Sequence, residues 1–201
     1  MEKAKFRRVK PEIRVVGIDD GSFNPRGGGE VIIVGAVYRG SGMIEGVLTS
    51  RIEVDGTDST RKIIEMVNST RHRGQIRAIM TSAITFGGFN IADINEISKA
   101  TGLPVISVAP EKPDLDSVKK ALQNMPDWRE RWDTMKSAGP LVKVTLKRKS
   151  TPIYIQTAGI EKKNAEEILR LTTVRGSTPE PLRAAHLIAT GVVRGESTKG
   201  V

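Results

Sequence analysis

The first third of the chain carries its apolar residues in short bursts, and these predict strands. Ile13-Arg14-Val15-Val16-Gly17-Ile18-Asp19 reads as a buried strand, residues 30–38 as a Val- and Ile-rich second, and residues 43–54 as an alternating third. Arg39-Gly40-Ser41-Gly42 is a turn, and connections this short favour an antiparallel meander. The period then lengthens. Thr57 or Asp58 caps a helix running to about Ser69, with Ile63, Ile64 and Val67 on one face. Residues 76–80 and 104–108 read as short buried strands around a helix over 91–100, and this alternation implies right-handed crossovers and parallel pairing. Residues 112–139 read as helical, broken at Pro126, with Trp128 and Trp132 on one face, a spacing that serves packing or base stacking. Residues 141–146 and 152–156 form a hairpin around Lys147-Arg148-Lys149-Ser150, a turn that is either an exposed charged loop or a phosphate contact. Helices over 162–172 and 179–194 follow, then a frayed tail over 195–201. The pattern predicts one α/β domain over residues 1–201: an antiparallel three-strand meander followed by parallel strands in a mixed sheet, with helices on both faces.

Composition narrows the class. With 201 residues, 38% hydrophobic and 27% charged, the chain can bury one core. No apolar stretch is long enough for a bilayer, residues 1–8 lack the apolar segment of a signal peptide, and a cytoplasmic protein without membrane contact is expected. The absence of cysteine excludes disulfides, thiolate nucleophiles and Cys-ligated zinc. A net charge of +9 points to phosphate backbones as partners, with basic residues clustered at 3–10, 71–73, 129–131 and 143–149; a solvated basic surface is the plainer reading. Only 4% of residues are aromatic, which argues against a broad base-stacking platform. Gly27-Gly28-Gly29 lacks the Gly-Lys-Ser/Thr ending of a P-loop and leads into a strand, so it is a flexible loop.

Candidate chemistry starts with Asp19 and Asp20 at the end of the first strand. A buried, unpaired carboxylate costs several kcal/mol, so such acids are relieved by a cation, a metal ion or solvent. Asp20-Gly21 also suits the start of a turn. In the predicted topology Asp19 lies beside the end of strand 76–80 and near Asp58. Two carboxylates from separate elements in one cleft form a hard-oxygen set suited to magnesium or manganese, while Asp58 alone fits a helix cap. Gly87-Gly88-Phe89-Asn90 precedes a helix containing Asp93; its amides either approach an anion or make a tight turn. Pro179-Glu180-Pro181-Leu182-Arg183-Ala184-Ala185-His186 opens a helix on which Arg183 and His186 share a face. That pair could position a phosphate or shuttle a proton, although a helical histidine also serves as a packed or surface residue.

Together with the strands Val15-Val16-Gly17-Ile18-Asp19, 76–80, Gly102-Leu103-Pro104-Val105-Ile106-Ser107-Val108 and Pro152-Ile153-Tyr154-Ile155, the C-terminal motif resembles endonuclease V. Asp55-Gly56-Thr57-Asp58 and Gly87-Gly88-Phe89-Asn90 are similar to signatures of an uncharacterised archaeal family related to that nuclease. The resemblance implies a ribonuclease H-like fold and magnesium-dependent cleavage near deoxyinosine in DNA or inosine in RNA. It implies that Asp19 matches the first-strand metal ligand, Asp58 the metal-binding Glu, and Arg183 and His186 the C-terminal helix motif. The chain departs from the pattern at Thr81-Ser82, where the nuclease has Asp-Gly, at Gly87, where a histidine is expected, and at Pro110, where it has lysine. The strand-separating wedge has no counterpart around residues 43–47.

The expectation is a metal-dependent nuclease of reduced carboxylate content, or a nucleic-acid-binding relative. Asp19 and Asp58, helped by Asp20, hold Mg2+ or Mn2+; His186 and Arg183 face the scissile phosphate; Gly87, Gly88 and Asn90 contact substrate; Lys112 stands in for the lysine. The alternatives are an inactive protein that binds DNA or RNA, or a small anion, on the same fold. A homodimer is compatible with the sequence, which carries no signal for oligomeric state.

Overall fold

Seven segments rich in β-branched and apolar residues pair into one sheet, and segments of helical period cover it. The computed structural model describes residues 8–25, 27–147 and 150–197. The meander consists of β1 (Arg14–Asp20), β2 (Glu30–Arg39) and β3 (Met43–Glu53). It is followed by α1 (Ser59–Ser69), β4 (Ala78–Ser82), the two-residue strands β5 (Thr85–Phe86) and β6 (Asn90–Ile91), α2 (Ile94–Thr101) and β7 (Val105–Ala109). Then come α3 (Leu115–Leu122), α4 (Trp128–Ser137), β8 (Val142–Val144), β9 (Ile153–Ala158), α5 (Lys162–Thr172) and α6 (Glu180–Arg194). The sheet order is β3-β2-β1-β4-β7-β9-β8. β1 pairs antiparallel with β2 and parallel with β4, β4 pairs parallel with β7, and β9 returns antiparallel against β7. The mixed sheet is the expected one.

Alternation along each strand assigns its side chains to two cores. Val16 and Ile18 of β1 and Ile79 of β4 join Ile63 and Val67 of α1, Ile94 and Ile97 of α2, and Met135 of α4. Val15, Met80 and Ile106 pack on the other side with Ile168 and Leu169 of α5 and Leu182 of α6. Helices α1 to α4 therefore cover one face, and α5 and α6 the other. Gly17 sets the distance on the second face, since a Cβ there would fall 2.4 Å from the carbonyl carbon of Pro181. The backbone of α6 thus rests on β1 where no side chain intervenes.

Three expectations are corrected. The predicted helix over 91–100 starts late, at Ile94, because residues 85–91 form a hairpin and the Asp93 carboxylate caps the helix by accepting from the amides of Asn95 and Glu96. Lys112 lies ahead of α3, whose cap is Asp114, rather than within a helix from 112. The expected strand over 76–80 is shifted to Ala78–Ser82, since the amide of Ile76 is still bonded back to His72 O in a turn. Of the basic turn 147–150, residues 148–149 lie outside the described residues, as do 3–7 of the N-terminal basic cluster and 198–201 of the predicted tail. Among the described residues no helix is long and apolar enough to cross a membrane.

Candidate functional site

Asp19 is the last inward residue of β1 on the α6 face, and it is 5% exposed. Its Oδ1 accepts the amide of Asp20 at 3.0 Å, and its Oδ2 meets His186 Nδ1 at 3.0 Å. The carboxylate holds the imidazole pKa above its ordinary value through this hydrogen bond, and its charge adds to the rise against the opposing effect of burial. Sequence reasoning placed Asp19 and His186 in one site, and the structure brings them into contact across 167 residues.

Beside Asp19 lies a cavity of about 20 Å³, lined by Asp19, Ser82, Ser177 and Thr178 together with the apolar Val108 and Leu182. Room of this size accepts about one water or one ion. Ser82, Ser177 and Thr178 are the residues that the sequence reading missed. Thr81, the position where the resemblance expects an acid, is fully buried and donates its hydroxyl to Ala83 O at 2.7 Å. It follows Ile79 in alternation and so belongs to the face of α1 to α4. The side chain that shares the cavity with Asp19 is Ser82.

The Oδ2 of Asp20 accepts the Gly87 amide at 2.6 Å. Burial pushes this carboxyl up to about 6 despite the Gly87 bond, and the neighbouring Asp19 charge contributes to the rise. Gly87 and Gly88, with φ of 49° and 90°, form the tip of the β5–β6 hairpin. Their loop does not wait for an external anion: Asp20 takes the Gly87 amide, and Asp55 Oδ1 takes the Phe89 amide at 2.7 Å. Asp55 itself sits at φ 54°, a left-handed conformation that aspartate tolerates better than most residues. Its carboxylate lies where a Cβ on Gly88 would stand, 2.3 Å from Oδ1, so glycine is required there.

Asp58 occupies the cap position of α1 but makes no capping bond with its side chain. Its Oδ1 accepts from Asn90 Nδ2 at 2.7 Å and from the Glu53 amide at 3.2 Å. Asn90, fully buried, also accepts the Ser59 amide at 2.9 Å and donates to Glu53 O at 2.9 Å. Asn90 therefore braces the start of α1 instead of facing a ligand. Arg131, assigned by sequence to a basic surface cluster, is 8% exposed. Its Nη1 donates to Gly56 O at 2.8 Å and Phe89 O at 2.6 Å, and its Nε donates to Asp127 at 2.8 Å, so it ties the two loops together. Arg183 donates its Nε to Glu180 Oε2 at 2.8 Å and is paired rather than poised for phosphate. Lys112 is exposed in the segment between β7 and α3.

These placements decide how a metal ion fits. Among the described residues no group of three or more His, Cys, Asp or Glu is arranged to hold one. Asp20 is bonded to the Gly87 amide and Asp58 to Asn90, so of the three expected acids only Asp19 lines the cavity. What remains at the Asp19 cavity is an all-oxygen set of one carboxylate and three hydroxyls. Oxygen donors have the hardness magnesium and manganese prefer, but the one carboxylate is already bonded to His186 and to the Asp20 amide, so the set does not fit a divalent cation. A larger cavity of about 360 Å³ lies on the other face at the same end of β4 and β7, lined by Ala83, Phe89, Ser107, Trp132, Met135 and Tyr154.

The comparisons agree with this architecture. The family model described as Endonuclease dU matches residues 11–193. A UPF0215 protein of Methanothermobacter thermautotrophicus is 52% identical over 198 residues, covering 98% of this chain and 96% of that protein. A UPF0215 protein of Methanosarcina mazei is 50% identical, over 94% of this chain and 95% of its own. A protein of unknown function from Archaeoglobus fulgidus superposes with a TM-score of 0.81 at 37% identity, covering 91% of this chain and 99% of that one. An endonuclease V from Bacillus subtilis superposes with a TM-score of 0.62 at 12% identity, covering 93% and 84%. The Ciona intestinalis endonuclease V, solved with a 24mer DNA containing an inosine followed by a ribo-adenosine, gives 0.55 at 12% identity, covering 86% and 82%.

Proposed function

We propose that this chain, which belongs to the Endonuclease dU family and has the ribonuclease H-like fold of endonuclease V, hydrolyses a phosphodiester bond of DNA or RNA at Asp19 and His186. The observation that carries this reading is the 3.0 Å contact between His186 Nδ1 and Asp19 Oδ2, beside a cavity for one small polar species. With Nδ1 committed to Asp19, Nε2 is the ring atom that exchanges a proton with the reacting oxygens. Asp19, fixed by two N–H donors, orients what enters the cavity. The larger cavity has the volume and aromatic lining to receive a nucleobase.

The test uses oligonucleotides containing dU, deoxyinosine or only ordinary bases, single- and double-stranded, with Mg2+ or Mn2+. Wild type should cleave, the dU substrate being the one the family description names. Asp19→Asn and His186→Ala should each lose about 100-fold or more in rate. Wild-type rates in both variants would remove the reading. A second reading, recognition without cleavage, is favoured by Asp19 being the sole carboxylate that lines the cavity among the described residues. It expects no product with any substrate, while wild type and Asp19→Asn bind DNA alike.

A further inference from the structure

We infer that the groove where β1 and β4 begin binds the phosphate backbone of nucleic acid through Arg8, Lys10 and Arg77, at the end of the sheet opposite Asp19. The groove has a volume of about 420 Å³ and is lined by Arg8, Lys10, Glu12, Arg14, Gln75 and Arg77, together with the buried Ile13. The strands that end at the Asp19 cavity start here. The Arg77 amide donates to Arg14 O at 2.9 Å, one step before Val15 pairs with Ala78. From Arg14 the strand runs about 17 Å to Asp19 at the usual rise per residue. The groove and the Asp19–His186 pair are separate places, and binding in the groove does not depend on catalysis at the pair.

The segment that carries Arg8 and Lys10 is anchored. Val9, between them, is 2% exposed and packs in the core shared with α5 and α6. The Ile13 amide then donates to Lys10 O at 3.0 Å and closes a turn. Both cations are exposed on this held backbone. Arg77, also exposed, is placed by its Nη1, which donates to Gly74 O at 2.8 Å and Ile76 O at 3.1 Å. The nearby acids are already occupied: Glu12 is bonded to Arg39, and Glu45 to Arg14. Among the described residues no carboxylate pairs with Arg8, Lys10 or Arg77, so their charges are uncompensated. Long exposed cations suit successive phosphates of a chain, because release of condensed counterions supplies the affinity without a fixed geometry. Arg71, exposed in the same connection between α1 and β4, extends the positive surface beyond what one phosphate uses. Ile13, at 6% exposure, gives the groove no apolar side chain to insert into a lipid surface.

The experiment measures binding of the full chain to a fluorescent DNA duplex of about 30 base pairs and ordinary sequence, and to the RNA duplex of the same sequence, from about 50 to 200 mM salt. EDTA is present so that divalent ions do not compete for phosphate. Arg8→Gln/Lys10→Gln should weaken binding about tenfold or more at the lowest salt and reduce the slope of log K against log salt by about 2, one for each lost contact. Arg77→Gln should reduce the slope by about 1, while Arg77→Lys, which keeps the charge, should bind as wild type does. Lys120→Gln/Arg129→Gln removes the same charge from α3 and α4, outside the groove, and should keep the wild-type slope. Circular dichroism checks that each variant is folded. A loss in the groove variants with either duplex supports the assignment. Unchanged affinity and slope with both duplexes, or an equal loss in the α3–α4 variant, overturns it. Displacement of the duplex by inorganic phosphate at constant ionic strength, or binding to phosphatidylcholine–phosphatidylserine vesicles and to neither duplex, also overturns it. Groove variants that lose affinity, in a protein that cleaves no oligonucleotide, support the groove while removing the nuclease reading. Cleavage by a protein whose binding ignores Arg8, Lys10 and Arg77 overturns the groove alone.

Discussion

His186 stands where its charged form is favoured, because Asp19 accepts its Nδ1–H. A group whose folded pKa is raised adds stability in full below its unfolded value, here 6.5, and loses it as pH rises through the higher folded value. His186→Ala should therefore lower stability by about 1 kcal/mol at pH 6 and by much less at pH 9, the half-exposed ring limiting the size of the effect. Urea denaturation at the two pH values measures this; equal losses would mean that the pair contributes packing and not charge. At this scale the sequence was only partly legible. The motif around His186 pointed to Asp19, but the place of Ser82 needed the β1–β4 register, which no single segment encodes. Arg131 was misread for a related reason: a buried guanidinium that satisfies two loop carbonyls looks, in sequence, like its exposed neighbour Arg129.

Among elements, the junction of β1 with α6 controls the site. Gly17→Ala would place a methyl 2.4 Å from the Pro181 carbonyl carbon, and backbone cannot rotate away as a side chain can. The variant should lose roughly 1–3 kcal/mol, as overpacked positions do. It should also move the His186 pKa toward 6.5, because α6 carries the ring away from Asp19. Thermal unfolding and the NMR titration of His186 check the two effects. An unchanged titration would show that α6 has kept its place. The strands of the meander and α5 follow from periodicity, since 7 to 11 residues of consistent pattern suffice to define them. The β5–β6 hairpin did not, because two-residue strands carry no period. What holds it is side chains from afar: Asp20, Asp55 and Arg131.

For the whole molecule, sheet order gathers the C-terminal ends of β1, β4 and β7 at one edge, with the small cavity on one face and the larger one on the other. Central parallel strands ending together are what pattern and crossover handedness predicted. The net charge of +9 bears on the partner rather than on the fold. If nucleic acid docks through its backbone, raising salt from about 50 to 200 mM should weaken binding by about tenfold or more, the loss expected from two or more neutralised phosphates. A filter-binding series measures it. A flat response would place recognition in base contacts alone.

The contact between Asp19 and His186 joins the first strand to the last helix, and that sets when in synthesis the pair can form. A ribosome releases β1 long before α6, and the 167 residues between the two partners make theirs among the most distant contacts of the fold. Until α6 docks, Gly17 and the apolar residues of β2 that it covers, Val34 and Ala36, have no roof. The Asp19–His186 pair is therefore absent until the last helix has been made, and the helix that seals the core is also the one that completes the pair. A chain built in this order assembles the pair only as the fold closes.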